Sequence, residues 1–215
     1  MGIQTEFVIV RHGQTQGNLA HTLQGQSNTD LDGTGIQQVK RLAQRLKKHP
    51  PFDAIYSSDL KRTLDTAQII VDCIGGNILP TPQLREWNLG ALEGQNWQTL
   101  QKEYPEIMNS FFNSQVDVEV PDGERRSVME KRLADCLDTL AAQHPGKRLL
   151  LVTHGGALRA IFRHIVGLPE GSNLLPQTSN ASYNSCTCSE GVWQMTSWND
   201  TAHLPHSMLH ELVTY

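Results

Sequence analysis

Two continuous apolar runs, at residues 7–10 and 149–153, constrain the fold of this chain more than any other feature. The first reads FVIV and the second LLLVT, without alternation between apolar and polar residues. Strands with this pattern are covered on both faces, as in a parallel sheet between two layers of helices. Basic residues and glycine follow both runs, as RHG at 11–13 and HGG at 154–156, so charged groups stand where buried strands end.

Helical periodicity separates the predicted strands. Residues 34–48 carry apolar side chains at helical spacing, and Thr34 with Gln37 fits a capping box. A short strand at 54–57 leads to Ser58 or Asp59 as the N-cap of a helix that ends at Gly75. Further amphipathic helices are predicted at 125–143 and between Gly156 and Val166, and a hairpin at 182–197. This alternation predicts an α/β fold, a three-layer αβα sandwich with a mainly parallel central sheet and helices on both faces.

One segment interrupts the alternation. Residues 88–124 are rich in Gln, Glu and Asn, and carry Trp97, Tyr104, Phe111 and Phe112. We interpret this segment as a partly helical insertion that covers the active site. The chain as a whole, residues 1–215, is expected to form a single domain, because its length suits one substantial core.

Composition narrows the classes of partner. A formal net charge of −4 leaves no general basic surface, so neither nucleic acid nor an anionic membrane is expected as a partner. No apolar run approaches the ~18 residues of a membrane span. Cys73, Cys136, Cys186 and Cys188 contain no C-x-x-C pair and are expected as small buried residues. These features predict a soluble, cytoplasmic protein, either a monomer or a homodimer.

Cationic side chains follow three of the predicted strands. In a doubly wound sheet, ligands bind outside the carboxyl ends of the strands. Arg11 and His12, the segment 57–62 with Arg62, and His154 should therefore meet at one edge. Because a planar guanidinium matches two phosphate oxygens, this cationic group predicts a phosphate site, which backbone N–H groups at Gly13 and Gly155 can approach.

Five ordered motifs resemble those of the histidine phosphatase superfamily, the branched family of phosphoglycerate mutases and related phosphomonoesterases. They are RHGQTxxN at 11–18, SSDLxRTxxTA at 57–67, LRExxxGxxEG at 84–94, PxGE at 121–124 and VTHGG at 152–156. The segment NDTAHL at 199–204 also resembles the ending of the phosphatase members. A single RHG tripeptide is weak evidence, whereas five blocks in the expected order are specific.

The resemblance implies a covalent mechanism that needs neither a metal nor a cofactor. It implies His12 as the nucleophile, Glu86 as the proton donor to the leaving group, and Arg11, Arg62 and His154 as groups that stabilise charge. The implied phosphate-binding residues are Arg11, Asn18, Gln24, Gly25, Arg62, His154 and Gly155. His154 should be protonated once phosphate is bound, and the acid role of Glu86 predicts higher activity at mildly acidic pH.

The resemblance leaves two reactions open. A phosphoglycerate mutase must retain the phosphoryl group in a basic cavity, and mutases of the family carry a cationic stretch soon after the catalytic glutamate. Here residues 89–101 contain neither Lys nor Arg, and the ExxxGxxEG form resembles the phosphatases. Hydrolysis of small phosphorylated metabolites is therefore the prediction, with the cofactor-dependent mutase as the alternative. A non-catalytic phosphate binder would have lost a catalytic residue, and the sequence retains all of them.

Arg125 is a candidate for substrate specificity. Family members commonly read PxGES, whereas this chain has Arg125 and Arg126 after Glu124. Arg125 could bind a second anionic group of the substrate, or both residues could begin a solvated helix. Positive charge near a helix N-terminus is slightly unfavourable, which favours a use for at least one of them.

Overall fold

A central sheet of six strands organises the molecule, seen here in a computed structural model whose described residues are 2–111, 117–169 and 171–209. The strands are β1 (Thr5–Arg11), β2 (Ala54–Ser57), β3 (Ile78–Pro80), β4 (Arg148–Thr153), β5 (Tyr183–Ser189) and β6 (Val192–Asp200). Their order across the sheet is β3-β2-β4-β1-β5-β6. β1, β2, β3 and β4 run parallel, while β5 and β6 form an antiparallel hairpin against β1. The mainly parallel sheet and the closing hairpin are confirmed.

Helices cover both faces of this sheet. They are α1 (Gln16–Leu19), α2 (Gly33–Leu46), α3 (Lys61–Ile74), α4 (Trp97–Glu103), α5 (Pro105–Ser110), α6 (Arg126–Gln143) and α7 (Gly155–Val166). Phe7 and Ile9 pack with apolar residues of α6 and α7, whereas Val8 and Val10 pack with those of α2 and α3. Successive strand residues thus enter two different cores, which explains the absence of polar alternation in the FVIV run.

The register of the two central strands places the histidines side by side. Arg11 of β1 pairs with Thr153 of β4, and the His12 N–H donates to the Thr153 carbonyl at 3.0 Å. His12 and His154 therefore follow neighbouring strand ends, and their ring centroids lie 5.3 Å apart. The parallel pairing, rather than proximity along the chain, brings these residues together.

Two predicted helix starts are wrong. Asp32, not Thr34, caps α2, because its carboxylate accepts the Gly35 N–H at 2.7 Å. Leu60 occupies the N-cap of α3 without a side-chain cap. Ser58 instead hydrogen-bonds His154, and Asp59 forms an ion pair with Arg85 at 2.5 Å. At α3, tertiary contacts thus hold the side chains that local capping would use, whereas at α2 the cap lies two residues earlier than predicted.

The segment predicted as an insertion contains a short 3₁₀ turn and the helices α4 and α5. Residues 112–116, including Phe112, lie outside the described residues. The strand β3, only three residues long, had no signal in the sequence analysis. Among the described helices, none has the length and apolar character that crossing a membrane requires.

Candidate active site

A cavity of about 280 Å³ lies at the carboxyl ends of the parallel strands. Eight of the nine predicted catalytic and phosphate-binding residues line it, namely Arg11, His12, Asn18, Gln24, Gly25, Arg62, Glu86 and Gly155. The ninth, His154, is fully buried, and its ring packs edge-on against that of His12. We call the inner end formed by Arg11, His12, Asn18, Arg62 and His154 the phosphate cup.

His12 is held in a single tautomer. Its Nδ1 lies 2.7 Å from the Gly13 carbonyl oxygen. A carbonyl only accepts hydrogen bonds, so Nδ1 must carry the proton and the neutral ring keeps its lone pair on Nε2. Burial, followed by the charges of Arg62 and Arg11, lowers the pKa of His12 well below 6.5. The neutral, nucleophilic form of His12 therefore predominates near pH 7.

His154 is positioned by a serine and has one unused nitrogen. Its Nε2 lies 2.8 Å from Ser58 Oγ, a buried hydroxyl. Its Nδ1 is buried and has no hydrogen-bond partner among the described residues. Burial lowers the pKa of His154, and the nearby Arg62 charge lowers it further, so the ring is neutral in the ligand-free site.

The two cup arginines are anchored through their outer nitrogens. Arg62, only 1% exposed, donates to the carbonyls of Gly25 at 2.6 Å and Ser27 at 2.8 Å. Arg11 donates from Nη1 to the Thr178 carbonyl at 2.5 Å. Within the described chain, neither Nε has a partner. Burial lowers the pKa of each guanidinium to about 10, so both remain cationic near pH 7.

The loop between β1 and α2 supplies the neutral side of the cup. Thr15 caps α1 and bonds the Asn18 amide oxygen through both its N–H, at 3.1 Å, and its hydroxyl, at 3.0 Å. The Gln24 side-chain oxygen accepts from the hydroxyls of Thr15, at 2.9 Å, and Thr29, at 2.6 Å. Because these contacts fix both amide oxygens, the side chains are orientated before any ligand binds.

Glu86 is bound by the first turn of α7. Its carboxylate accepts N–H bonds from Gly156 at 2.8 Å, Ala157 at 2.9 Å and Trp87 at 2.9 Å. A Cβ at position 156 would lie 2.5 Å from a carboxylate oxygen of Glu86, so this approach requires glycine there. Arg132 of α6 also donates to the Glu86 carbonyl at 3.3 Å. The acidic residue is thus fixed beside the cup.

The predicted role of one glycine is wrong. The Gly13 N–H donates to Thr66 Oγ1 at 3.2 Å, so it is already used within the protein. A Cβ at Gly13 would lie 2.6 Å from the Gly35 carbonyl of α2. Gly13 therefore permits close packing between the end of β1 and α2. Gly155, by contrast, lies against Arg11 and lines the cavity.

A second set of residues forms the outer wall of the cavity, which we define as Arg126, Met129 and Glu130 of α6, Arg159 and Arg163 of α7, and the apolar side chains Trp87, Leu89, Trp97, Phe111 and Leu175. Arg159 and Arg163 of this wall were not predicted, whereas Arg126 was one of the two arginines for which a use was favoured. The non-basic stretch after Glu86 therefore did not foretell a non-basic cavity, because the cations come from two later helices.

Arg125 lies away from the cavity. It pairs with the exposed Glu119 at 2.8 Å and donates to the Asp117 carbonyl at 3.0 Å. Its neighbour Arg126 enters the wall, where Glu130 lies 3.4 Å from its Nε. Of the two possibilities for Arg125, the structure supports the solvated helix start.

Two residues of the site, Ser58 and Arg159, could not be assigned from the sequence, for different reasons. Ser58 belongs to a recognised motif, yet nothing local indicates that its hydroxyl holds His154. Arg159 belongs to none of the motifs. It follows Gly155 by four residues, and this spacing on a helix that starts at the site was the available signal.

Comparisons with known proteins agree with this geometry. The family model of the histidine phosphatase superfamily (branch 1) matches residues 7–201. A metal-independent phosphoserine phosphatase of Arabidopsis thaliana is 40% identical over 202 residues, which are 93% of this chain and 83% of the relative. A probable phosphoglycerate mutase, GpmB, of Yersinia pestis is 34% identical over 96% of this chain and 98% of its own.

A solved structure extends the likeness to three dimensions. The phosphoserine phosphatase of Entamoeba histolytica, in a mutant complex with phosphoserine, superposes with a TM-score of 0.81 at 28% identity. The match covers 94% of this chain and all of that one, 100%. Since the family model spans nearly the whole length and the fold agrees, this chain belongs to the histidine phosphatase superfamily, branch 1.

Proposed function

We propose that the protein hydrolyses small phosphomonoesters through a phosphohistidine intermediate on His12. The observation that carries the proposal is the hydrogen bond from His12 Nδ1 to the Gly13 carbonyl. It leaves the Nε2 lone pair free on a neutral ring, which is the form that attacks phosphorus without prior loss of a proton. The protein is a phosphoric monoester hydrolase.

The cup supplies charge where the transition state needs it. Three buried nitrogens, Nε of Arg11, Nε of Arg62 and Nδ1 of His154, have no partner among the described residues; the first two are donors, and the third is a donor once His154 is protonated. Unsatisfied buried donors cost free energy, and phosphoryl oxygens would satisfy them. A bound phosphate dianion also favours protonation of His154, which then stabilises the developing charge. For this role, the phosphate must reach Nδ1 of His154, whose ring is fully buried.

Glu86 completes the cycle. It gives a proton to the leaving alkoxide and then activates water to hydrolyse the phosphohistidine. Its attachment to the N-terminus of α7 keeps the carboxyl group beside the cup in both half-reactions. The chemistry consumes water, releases alcohol and phosphate, and regenerates His12, without a metal in the proposed steps.

Phosphoglycerate mutation is the second candidate. The arginines of the outer wall, Arg126, Arg159 and Arg163, support this candidate, because a mutase needs a basic cavity for a phosphorylated acid. Phosphatase relatives support hydrolysis, whereas GpmB carries a mutase name. The two reactions differ in product, because a mutase returns the phosphoryl group to a hydroxyl instead of to water.

The deciding experiment measures phosphate release from a panel of phosphomonoesters in EDTA, including an aryl phosphate and 3-phosphoglycerate. We expect metal-independent release that disappears in His12→Ala. His164→Ala is the matched control, because His164 lies on α7 but pairs with Asp138. Labelled substrate should leave phosphate on protein nitrogen, stable to alkali and lost in acid. Conversion of 3-phosphoglycerate to 2-phosphoglycerate without phosphate release would identify the mutase instead.

Other features of the protein are proposed more broadly. The substrate is a small phosphorylated molecule, and a net charge of −4 argues against nucleic acid. Cys73, Cys136, Cys186 and Cys188 are free thiols, which suits a reducing cytoplasm. The protein is proposed to be a monomer or a homodimer. Each chain forms one domain, in which the insertion at 88–124 covers the active site. In support of this, Trp97 and Phe111 of the insertion line the cavity.

A further inference from the structure

Arg159 is a cation in the outer wall for which the described residues provide no hydrogen-bond or ion-pair partner. It lies on α7, four residues after Gly155 and four before Arg163, so the three residues form one stripe that leads outward from the cup. Its Nε is buried and unpaired, and no hydrogen bond or ion pair joins its guanidinium to another of the residues that the structure describes. Such isolation is unusual for a half-buried arginine whose Nε is fully covered.

The other two arginines of the wall are compensated. Glu130 lies 3.4 Å from Nε of Arg126 and 3.4 Å from Nε of Arg163. Arg126 also donates to the Ser110 carbonyl, and Arg163 donates to that of Ser172 at 2.9 Å. One carboxylate thus serves two guanidinium groups. Of the three wall arginines, Arg159 is the one for which the described residues provide neither a hydrogen bond nor an ion pair.

Neither the cup nor Glu86 uses Arg159 directly. Arg11 and Arg62 already surround the phosphate site. Glu86 is engaged by three N–H groups, and it forms no ion pair with Arg159 within the described chain. Burial lowers the pKa of Arg159 while the Glu86 charge opposes that effect, so the group stays cationic near pH 7. Leaving a half-buried guanidinium with a covered, unpaired Nε costs free energy, and an anionic group of a ligand would offset that cost.

We propose that Arg159 binds a carboxylate of the substrate, so that the cavity selects phosphorylated carboxylic acids. One helical turn separates Arg159 from Gly155, a rise of about 6 Å, which a short carbon chain between phosphoester and carboxylate can span. A single guanidinium matches a monoanionic carboxylate in charge and in its two-pronged geometry. A second phosphate dianion would call for more than one free cation.

The proposal rests on the proposed phosphatase function, and it is tested with substrate pairs that differ in the carboxylate. O-phosphoserine is compared with O-phosphoethanolamine, and 3-phosphoglycerate with glycerol 3-phosphate. We expect the native enzyme to favour the acid of each pair by about 10- to 100-fold in kcat/KM. Arg159→Gln should bring both ratios close to one by lowering the acids selectively, and Arg159→Lys should restore part of the preference.

The matched control is Arg125→Ala, which removes a cation outside the cavity and should leave both ratios intact. Binding supplies an independent readout, since the dissociation constants of O-phosphoserine and O-phosphoethanolamine can be measured by calorimetry on His12→Ala. Adding Arg159→Gln to that variant should weaken only phosphoserine, by the same factor of about 10 to 100.

Several results would overturn the inference. They are equal losses for both members of a pair, no preference in the native enzyme, or a stronger Arg159 dependence for a bisphosphate such as fructose 1,6-bisphosphate. Failure of the phosphatase proposal looks different, because phosphate release would then persist in His12→Ala or be missing for every substrate. The binding measurement still judges Arg159 in that case.

Discussion

The phosphate cup and the outer wall of the same cavity are built in contrasting ways. Cup residues follow directly after strands or begin helices, in short motifs, and sheet register alone brings His12 and His154 together. The wall draws on α6, α7 and the segment 88–124, whose side chains have no common motif. Short sequence motifs therefore predict the residues of the cup, whereas the composition of the outer wall depends on how helices that are distant in the sequence pack together.

Replacing Arg62 should give the largest effect and distinguish the two regions. Arg62→Lys keeps a charge but loses the planar fork that bonds Gly25 and Ser27 while facing phosphate. We expect kcat/KM to fall by about 100- to 1,000-fold for every phosphomonoester alike. Steady-state kinetics on the paired acids and non-acids checks this. A loss restricted to the acids would mean that Arg62 recognises the carboxylate of the substrate, and its role would then not differ from that proposed for Arg159.

The cup should also dominate the acid sensitivity of the fold. His12 and His154 are buried, and their pKa values lie well below the ordinary 6.5. The unfolded chain therefore binds more protons below pH 6.5, so stability falls as pH decreases. Between pH 7.5 and 5 we expect a loss of about 2 to 4 kcal/mol, measured by urea unfolding.

Two comparisons sharpen this pH prediction. His12→Gln should lower the slope of unfolding free energy against pH by about a third, because His12 is one of three histidines with a lowered pKa. Inorganic phosphate should flatten it in the native protein, because the bound anion favours protonated His154. His203, whose pKa burial lowers to about 4, lies outside the cup and adds a comparable contribution over this range, because its ring also stays largely neutral at pH 5 in the folded protein. An unchanged slope in His12→Gln would assign the acid sensitivity elsewhere.

Replacing Ser58 tests whether a residue that contacts His154 affects the reaction by orienting the His154 ring. Ser58→Ala removes the hydroxyl that lies 2.8 Å from His154 Nε2, and we expect kcat to fall about 10-fold with little change in KM. The matched control is Ser57→Ala, a neighbouring buried hydroxyl that bonds only the Ser58 carbonyl among the described contacts. The pH profile of kcat should shift for Ser58→Ala alone. Identical profiles in both variants would indicate a purely structural role.

The features that could be predicted from the sequence differ from those that could not in the same way as the cup differs from the outer wall. The buried strands, the αβα layers and the cup could be predicted because a strand end fixes the location of the next two residues. Capping was mispredicted, since Asp32 replaced Thr34 and tertiary partners took Ser58 and Asp59. Gly13 was assigned to phosphate although packing against Gly35 explains it. Hydrogen-bond competition and close packing are long-range properties that no local pattern encodes.

The smallest predicted effect is that of replacing Arg125. The sequence made this residue a candidate for binding substrate, whereas the structure places it outside the cavity. Arg125 was a candidate for a second anion, yet its guanidinium bonds Glu119 and the Asp117 carbonyl on the surface. Arg125→Ala should therefore change kcat/KM by less than about 2-fold for acids and non-acids alike, because exposed ion pairs contribute little. Kinetics on O-phosphoserine and an aryl phosphate measure it. A selective rise in KM for the acid would mean that Arg125 reaches the substrate, and the wall would then extend beyond the cavity into the turn that precedes α6.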